Sequence, residues 1–146
     1  MADKVKILVA DDDAQIRGLV ARVLGGDGFH CLQATSGDEA IEAVKKERPD
    51  LLLLDISMPG CNGFEVCQAL RKNPENSRMA IVMLTGRDKE SDIVKALESG
   101  ADDYVGKPFN QTELLSKINK LLEKAKTGLL PSQHYFKRTG GKTGEF

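Results

Sequence analysis

The chain has 146 residues, 21 Lys plus Arg against 22 Asp plus Glu, a formal net charge of −1 and 40% hydrophobic residues. That suits one globular domain with a single core, and the near-neutral balance gives no bulk attraction to nucleic acid or to an anionic membrane. No apolar run reaches the roughly 20 residues of a membrane span, the start Met1–Ala2–Asp3–Lys4 lacks the apolar stretch of a signal peptide, and Cys31, Cys61 and Cys67 fit no zinc spacing, so reduced thiols in a cytoplasmic protein are expected.

In chain order, Val5–Ala10 is a short apolar run and reads as a first strand. Asp11–Asp12–Asp13 follows it. Ile16, Leu19, Val20, Val23 and Leu24 recur at helical spacing, so an amphipathic helix is expected over Ala14–Leu24, stopped by Gly25, Gly26 and Gly28. Phe29–Ala34 is a second strand with a weak pattern, because His30 and Gln33 interrupt it. Ser36 with Glu39 three residues on opens a second helix, which carries Ile41 and Val44 and ends before Pro49.

Leu51–Leu54 is four leucines in a row, bounded by Pro49 and by Pro59–Gly60. A run this short and this apolar is a strand covered on both faces, as in a parallel sheet. Asn62 with Glu65 caps the next helix, which presents Phe64, Cys67 and Leu70 and ends near Asn73–Pro74. Ala80–Leu84 is a fourth strand. A helix opening near Asp88 carries Ile93, Val94 and Leu97 and ends at Gly100. Asp103–Gly106 is a fifth strand. Asn110 with Glu113 caps a last helix whose apolar face is Leu114, Leu115, Ile118, Leu121 and Leu122. Residues 126–146 hold several glycines and no apolar period, and read as a flexible tail or a truncated linker after a domain of residues 1–125.

Strand and helix alternate five times. That pattern predicts an α/β fold, a flavodoxin-like (βα)5 doubly wound parallel sheet with strand order 2-1-3-4-5 and right-handed crossovers. Such sheets bind ligands beyond the carboxyl ends of their strands, beside the switch point between strands 1 and 3. The polar residues fall there. Asp11 and Asp12 follow strand 1, Asp55 follows strand 3, Thr85 strand 4 and Lys107 strand 5.

Three carboxylates without His or Cys make a hard, all-oxygen site suited to Mg²⁺. Metal-free, the acids repel one another and at least one carboxyl pKa should rise. With the charge neutralised, Asp55 is a candidate nucleophile toward phosphorus. Each residue alone has a plainer reading. Asp11–Asp13 divides evenly between capping a helix and binding a metal, with Asp13 the cap. Asp55 could be a turn residue, Thr85 a strand-end hydroxyl and Lys107 a solvated cation. Their joint placement favours the pocket. Cys31 and Cys67 read as core fillers, His30 as strand surface, and Cys61 as a loop thiol of open exposure.

These residues resemble the receiver domains of two-component response regulators. The motifs are Ile7–Leu8–Val9–Ala10–Asp11–Asp12, Leu54–Asp55–Ile56–Ser57–Met58–Pro59 with Gly63, Leu84–Thr85, Gly100–Ala101–Asp102–Asp103–Tyr104, and Lys107–Pro108–Phe109, spread over Val5 to Leu122. The resemblance implies that Asp55 takes a phosphoryl group from a histidine kinase or phosphotransfer protein. It implies Mg²⁺ on Asp11, Asp12, Asp55 and the Ser57 backbone carbonyl, a phosphoryl contact from Lys107, and a cis Lys107–Pro108 peptide. Thr85 and Tyr104 would form a switch that alters the face of the fourth helix, fifth strand and fifth helix, to control a partner or output domain. Ser57 and Arg87 lie where the family tunes phosphoryl lifetime.

The stretch Asp92–Tyr104, with Lys117, looks like the dimerising face of receivers joined to DNA-binding domains, so a homodimer through that face is an expectation, with no direct nucleic-acid contact by this domain. The implied protein is a cytoplasmic signalling switch with self-catalysed phosphotransfer and autodephosphorylation, not a turnover enzyme. An aspartyl-phosphate phosphatase or mutase would want a second Asp two residues after the nucleophile, where Ser57 stands. A flavin module would want a Ser/Thr/Gly-rich phosphate loop where Asp11–Asp13 stands.

Overall fold

The computed structural model describes residues 4–86 and 90–135, the last two as backbone only. The elements are β1 (Lys6–Ala10), α1 (Ala14–Gly26), β2 (His30–Ala34), α2 (Gly37–Glu47), β3 (Leu51–Asp55), α3 (Gly63–Arg71), a 3-10 turn (Pro74–Asn76), β4 (Ala80–Thr85), α4 (Glu90–Glu98), β5 (Asp103–Gly106), α5 (Gln111–Lys126) and a short α6 (Pro131–Tyr135). The strands pair in parallel in the order β2-β1-β3-β4-β5, the expected doubly wound sheet.

Side-chain alternation divides the core in two. Leu8, Ala10, Leu52, Leu54, Ile81 and Met83 face Val44 of α2, Val66 and Leu70 of α3 and Ala96 of α4. Ile7, Val9, Leu51, Leu53, Val82 and Leu84 face Val20 and Leu24 of α1 and Leu114, Ile118 and Leu121 of α5. The leucine run is central, and all four leucines are fully buried. At about 2 kcal/mol for each buried leucine, this one strand contributes roughly 8 kcal/mol of apolar driving force. β2 is an edge strand with exposed positions at His30 and Gln33, which is why its pattern was faint.

The caps follow the sequence. Asp13 accepts the Gln15 and Ile16 amides at the start of α1. Ser36 and Asn110 each accept the amide three residues on, and Asn62 with Glu65 forms a complete capping box. α1 runs two residues past its expected end at Leu24. Phe29 N–H returns to Leu24 O at 3.1 Å and Gly28 N–H to Gly25 O at 3.2 Å, with Gly28 at φ +89°. This Schellman closure absorbs Gly25 and Gly26 into the last turn. The expected opening of the fourth helix near Asp88, and Arg87 with it, lies outside the described residues.

The same closure ends α5. Leu129 N–H reaches Lys124 O at 2.9 Å, with Gly128 at φ +73°. The chain therefore turns back onto the body. Leu130 is fully buried among Leu114, Ile118 and Leu121, and Ser132 is buried beside Asp102. Where the sequence suggests a flexible segment from residue 126, its described part is docked by one apolar and one polar anchor. Residues 136–146 lie outside the described residues.

Candidate functional site

Asp11 sits just past β1 and is fully buried, Asp55 is the last residue of β3, and Thr85 the last of β4; both are nearly inaccessible. Asp12 beside them is exposed. Lys107 follows β5, and its amide donates to Thr85 O at 2.6 Å, which ties the start of the β5–α5 loop to the end of β4. The Lys107–Pro108 peptide is cis, as the resemblance implies. The sheet thus brings residues almost a hundred positions apart to one edge.

Carboxylate oxygens of Asp11, Asp12 and Asp55 lie within 4.8 Å of one another. Lys107 Nζ stands 2.8 Å from Asp11 Oδ2 and 3.2 Å from Asp55 Oδ1. Asp11 Oδ1 accepts the Asp13 amide at 2.9 Å. Asp11 Oδ2, in contrast, is a buried oxygen with no directed hydrogen bond. Its close polar neighbour among the described residues is the Lys107 ammonium, at ion-pair distance.

The electrostatics follow from this crowding. Burial first, and the Asp11 carboxylate second, push the Asp55 carboxyl up to about 6, against the opposing pull of Lys107 and of a backbone hydrogen bond from Ser57. Burial alone would lower the Lys107 pKa. Its contacts with Asp11 and Asp55 more than offset that, so the ammonium is held charged. Among the described residues, Lys107 alone pairs with the cluster, reaching two of its three carboxylates. All-oxygen donors, an incompletely satisfied buried oxygen and an excess of negative charge fit a hard divalent cation, and Asp11, Asp12 and Asp55 are the residues that could hold it.

Gly63 explains how close the next element comes. A Cβ there would lie 2.5 Å from Asp55 O and 2.8 Å from Ile56 Cα, so only glycine lets the start of α3 close over the acidic strand. Tyr104 on β5 is half-buried. Its carbonyl accepts Lys117 Nζ at 2.6 Å, and the same ammonium lies 4.6 Å from its ring centre. Tyr104, Lys107 and Lys117 with Gly86 and Glu113 line a cavity of about 380 Å³ between the acidic edge and α5. Cys61 is half-buried, 3.7 Å from Asp38 Oδ1. Burial and then Asp38 push its thiol pKa up, so it is not an activated thiolate.

Two features went unread in the sequence. Arg17 Nη1 donates to the Asp11 carbonyl at 2.8 Å, and its position one helical turn after the Asp13 cap was the available signal. Arg71 and Asp102 form a buried ion pair at the opposite end of the sheet. Nothing in local spacing pairs residues 31 positions apart.

A parallel five-stranded sheet of order 2-1-3-4-5, with an acidic cluster and a lysine at its carboxyl edge, defines a CheY-like, flavodoxin-like α/β domain. The comparisons agree. The model of the response regulator receiver domain matches residues 7–119. The chain is 44% identical over 119 residues to the DNA-binding response regulator MtrA of Mycobacterium tuberculosis (strain ATCC 25618 / H37Rv), covering 82% of this chain and 51% of that protein. It is 42% identical over 125 residues to the phosphate regulon transcriptional regulatory protein PhoB of Rhizobium meliloti (strain 1021), covering 86% of this chain and 55% of that protein. The solved structure of Vibrio cholerae chemotaxis protein CheY4 superposes with a TM-score of 0.78 at 30% identity, over 82% of this chain and 99% of that one.

The chain belongs to the response regulator receiver domain family of two-component systems, a family of signalling switches rather than turnover enzymes. It spans about half the length of the curated relatives it matches. No helix among the described residues is long and apolar enough to cross a membrane.

Proposed function

We propose that Asp55 is the phosphoacceptor. A carboxylate oxygen of Asp55 attacks the phosphorus of a kinase phosphohistidine; the P–O bond forms, the P–N bond breaks, and the imidazole leaves with its electron pair. Mg²⁺, when bound, supplies charge neutralisation on the transferring phosphoryl oxygens. Asp11, Asp12, Asp55 and the Ser57 backbone carbonyl would hold it. Lys107 adds the second positive charge and orients the group. The observation that carries this reading is the meeting of three carboxylates within 4.8 Å with Lys107 bridging two of them.

The signal follows from electrostatics. A phosphoryl group adds negative charge and three strong acceptor oxygens at Asp55, and Lys107 and Thr85 are the donors at the same edge. Thr85 moves toward the phosphate, Tyr104 turns inward behind it, and the α4–β5–α5 face changes. That face carries the half-exposed Val94 and Leu97 and is the surface assigned to a second copy or to an output domain. The chain acts in the cytoplasm, and its partners are a histidine kinase or phosphotransfer protein. Two of the relatives are named as DNA-binding or transcriptional regulators, so a DNA-binding domain is the output class they favour, without DNA contact by this domain.

The test is intact mass after incubation with Mg²⁺ and acetyl phosphate, beside Asp55→Asn. The parent is expected to gain one phosphoryl group and the variant none. With beryllofluoride, amide shifts should concentrate at Thr85–Gly86 and Leu97–Lys107. Shifts confined to β1 and β3 would mean that the site binds but does not signal. No mass gain together with an unmoved spectrum would sink the proposal.

A further inference from the structure

We infer that Arg17, oriented by Gln33, is a positioning residue that aims the Asp12 carboxylate at a divalent cation. The inference rests on the reading of the acidic cluster as a Mg²⁺ site.

The three carboxylates are not held alike. Asp11 is fixed along its whole length: its amide donates to Ala34 O at 3.1 Å, its Oδ1 takes the Asp13 amide, and its Oδ2 faces Lys107. Asp55 ends a fully buried strand and is held by Lys107. Asp12 is exposed, and among the described residues no group donates to its carboxylate. Its backbone position therefore decides which of its side-chain rotamers bring the carboxylate to the cluster. The peptide plane entering Asp12 is the one whose carbonyl, that of Asp11, accepts Arg17 Nη1 at 2.8 Å. Fixing that plane fixes the Asp11 ψ and constrains the Asp12 φ together.

Arg17 is itself held at a second point. Its Nε donates to Gln33 Oε1 at 3.2 Å. Gln33 lies on β2 in register with Val9 of β1, so the sheet carries it alongside the end of β1. A guanidinium gripped by two acceptors has its plane fixed, which a lysine ammonium cannot reproduce. This gives a role to the polar residue that interrupts the β2 pattern. Gln33 is where the edge strand reaches across to brace the β1–α1 loop.

The sign of the effect separates this from simple charge. Arg17 is a cation close to an acidic cluster, so by Coulomb's law alone its removal should tighten the binding of a second cation. A positioning role predicts the reverse. Partners that orient metal ligands are worth roughly ten- to a hundredfold in metal affinity.

Mg²⁺ is titrated into the full chain by calorimetry, with far-UV circular dichroism to confirm that each variant is folded. Arg17→Ala is expected to weaken binding about tenfold, Arg17→Lys by less, and Gln33→Leu about threefold at no change in charge. In an Asp12→Ala background, Arg17→Ala should cost nothing further, since the two act through one ligand. Tighter or unchanged binding in Arg17→Ala, or a loss that persists without Asp12, overturns the proposal while leaving the Mg²⁺ site standing. A parent chain that binds no Mg²⁺ overturns both. Should Arg17→Ala fail to fold, Arg17→Lys and Gln33→Leu decide alone, and no weakening in either overturns it.

Discussion

The two ends of the one sheet each carry a cation set against carboxylates, and they are built on opposite terms. At the amino end Arg71 uses all five of its N–H groups: Nε to Gly100 O, Nη1 to Asn76 O and Met79 O, Nη2 to Asp102 Oδ2 and Ser132 Oγ. Asp102 in turn takes the Ile81 amide on Oδ2 and the Ser132 amide on Oδ1. Charges balance and no donor is left over. At the carboxyl end, among the described residues, one ammonium pairs with Asp11 and Asp55 while Asp12 has no such partner, a buried Asp11 oxygen lacks a directed donor, and the Asp55 carboxyl is driven up to about 6. A buried polar cluster that is fully satisfied holds the fold together; one left short of positive charge is poised to take some from outside.

The largest effect should come from breaking the satisfied end. Asp102→Ala leaves the Arg71 guanidinium buried without its counter-charge, and costs about 3–5 kcal/mol of folding stability. Urea unfolding measures it, and a loss below about 1 kcal/mol would refute the contrast drawn between the two ends. Mg²⁺, binding the native state only, is expected to raise the melting temperature of this variant as much as that of the parent, because the Arg71–Asp102 clasp lies at the other end of the strands. Leu130→Ala comes next. Leu130 is fully buried, so its truncation should cost about 2–3 kcal/mol. A neutral result would return residues 127–133 to the class of a flexible linker.

The difference between the ends also decides what could be read without coordinates. The strand–helix alternation and the caps at Asp13, Ser36, Asn62 and Asn110 were legible because each rests on local period or spacing, and the strand order because five alternating units suit the doubly wound fold class. The acidic edge was legible because a parallel sheet places every strand's carboxyl end on one side. The clasp was not. Its members come from α3, the α4–β5 loop and the segment after α5, and no periodicity connects Arg71 with Ser132. Leu129–Leu130 after Gly128 was a faint signal of a chain turning back, lost among glycines that read as a linker. Gln33 was seen only as an interruption, since its partner Arg17 lies on a helix one crossover away.

A pH series probes the unsatisfied end more gently. Asp55 holds its proton in the native state with a pKa of about 6, against an ordinary value of 3.8. Between those values the native state binds more protons than the unfolded one, so this group's contribution falls as pH rises and is lowest above about 6. Metal-free Asp55→Asn should therefore be more stable than the parent near pH 7, by on the order of 1–2 kcal/mol after allowance for solvent screening, and the advantage should vanish near pH 4. Saturating Mg²⁺ should abolish it at pH 7. An advantage that persists at pH 4 would trace to packing rather than charge.

The smallest effect, and the sharpest for the comparison, is that of Asp12→Ala. Asp12 is exposed and no group donates to its carboxylate among the described residues, so its removal deletes repulsion and little else. Metal-free, the variant should match the parent or exceed it by up to about 1 kcal/mol in urea unfolding. In Mg²⁺ the order should reverse, because a ligand that binds only the native state stabilises the parent in proportion to its affinity, and the variant has lost a donor. The two halves test different things. A metal-free loss of stability would mean that Asp12 is held by contacts like those of Asp102, and the distinction between the ends would fail. An unchanged Mg²⁺ response would leave the distinction intact but remove Asp12 from the metal site, and with it the part assigned to Arg17.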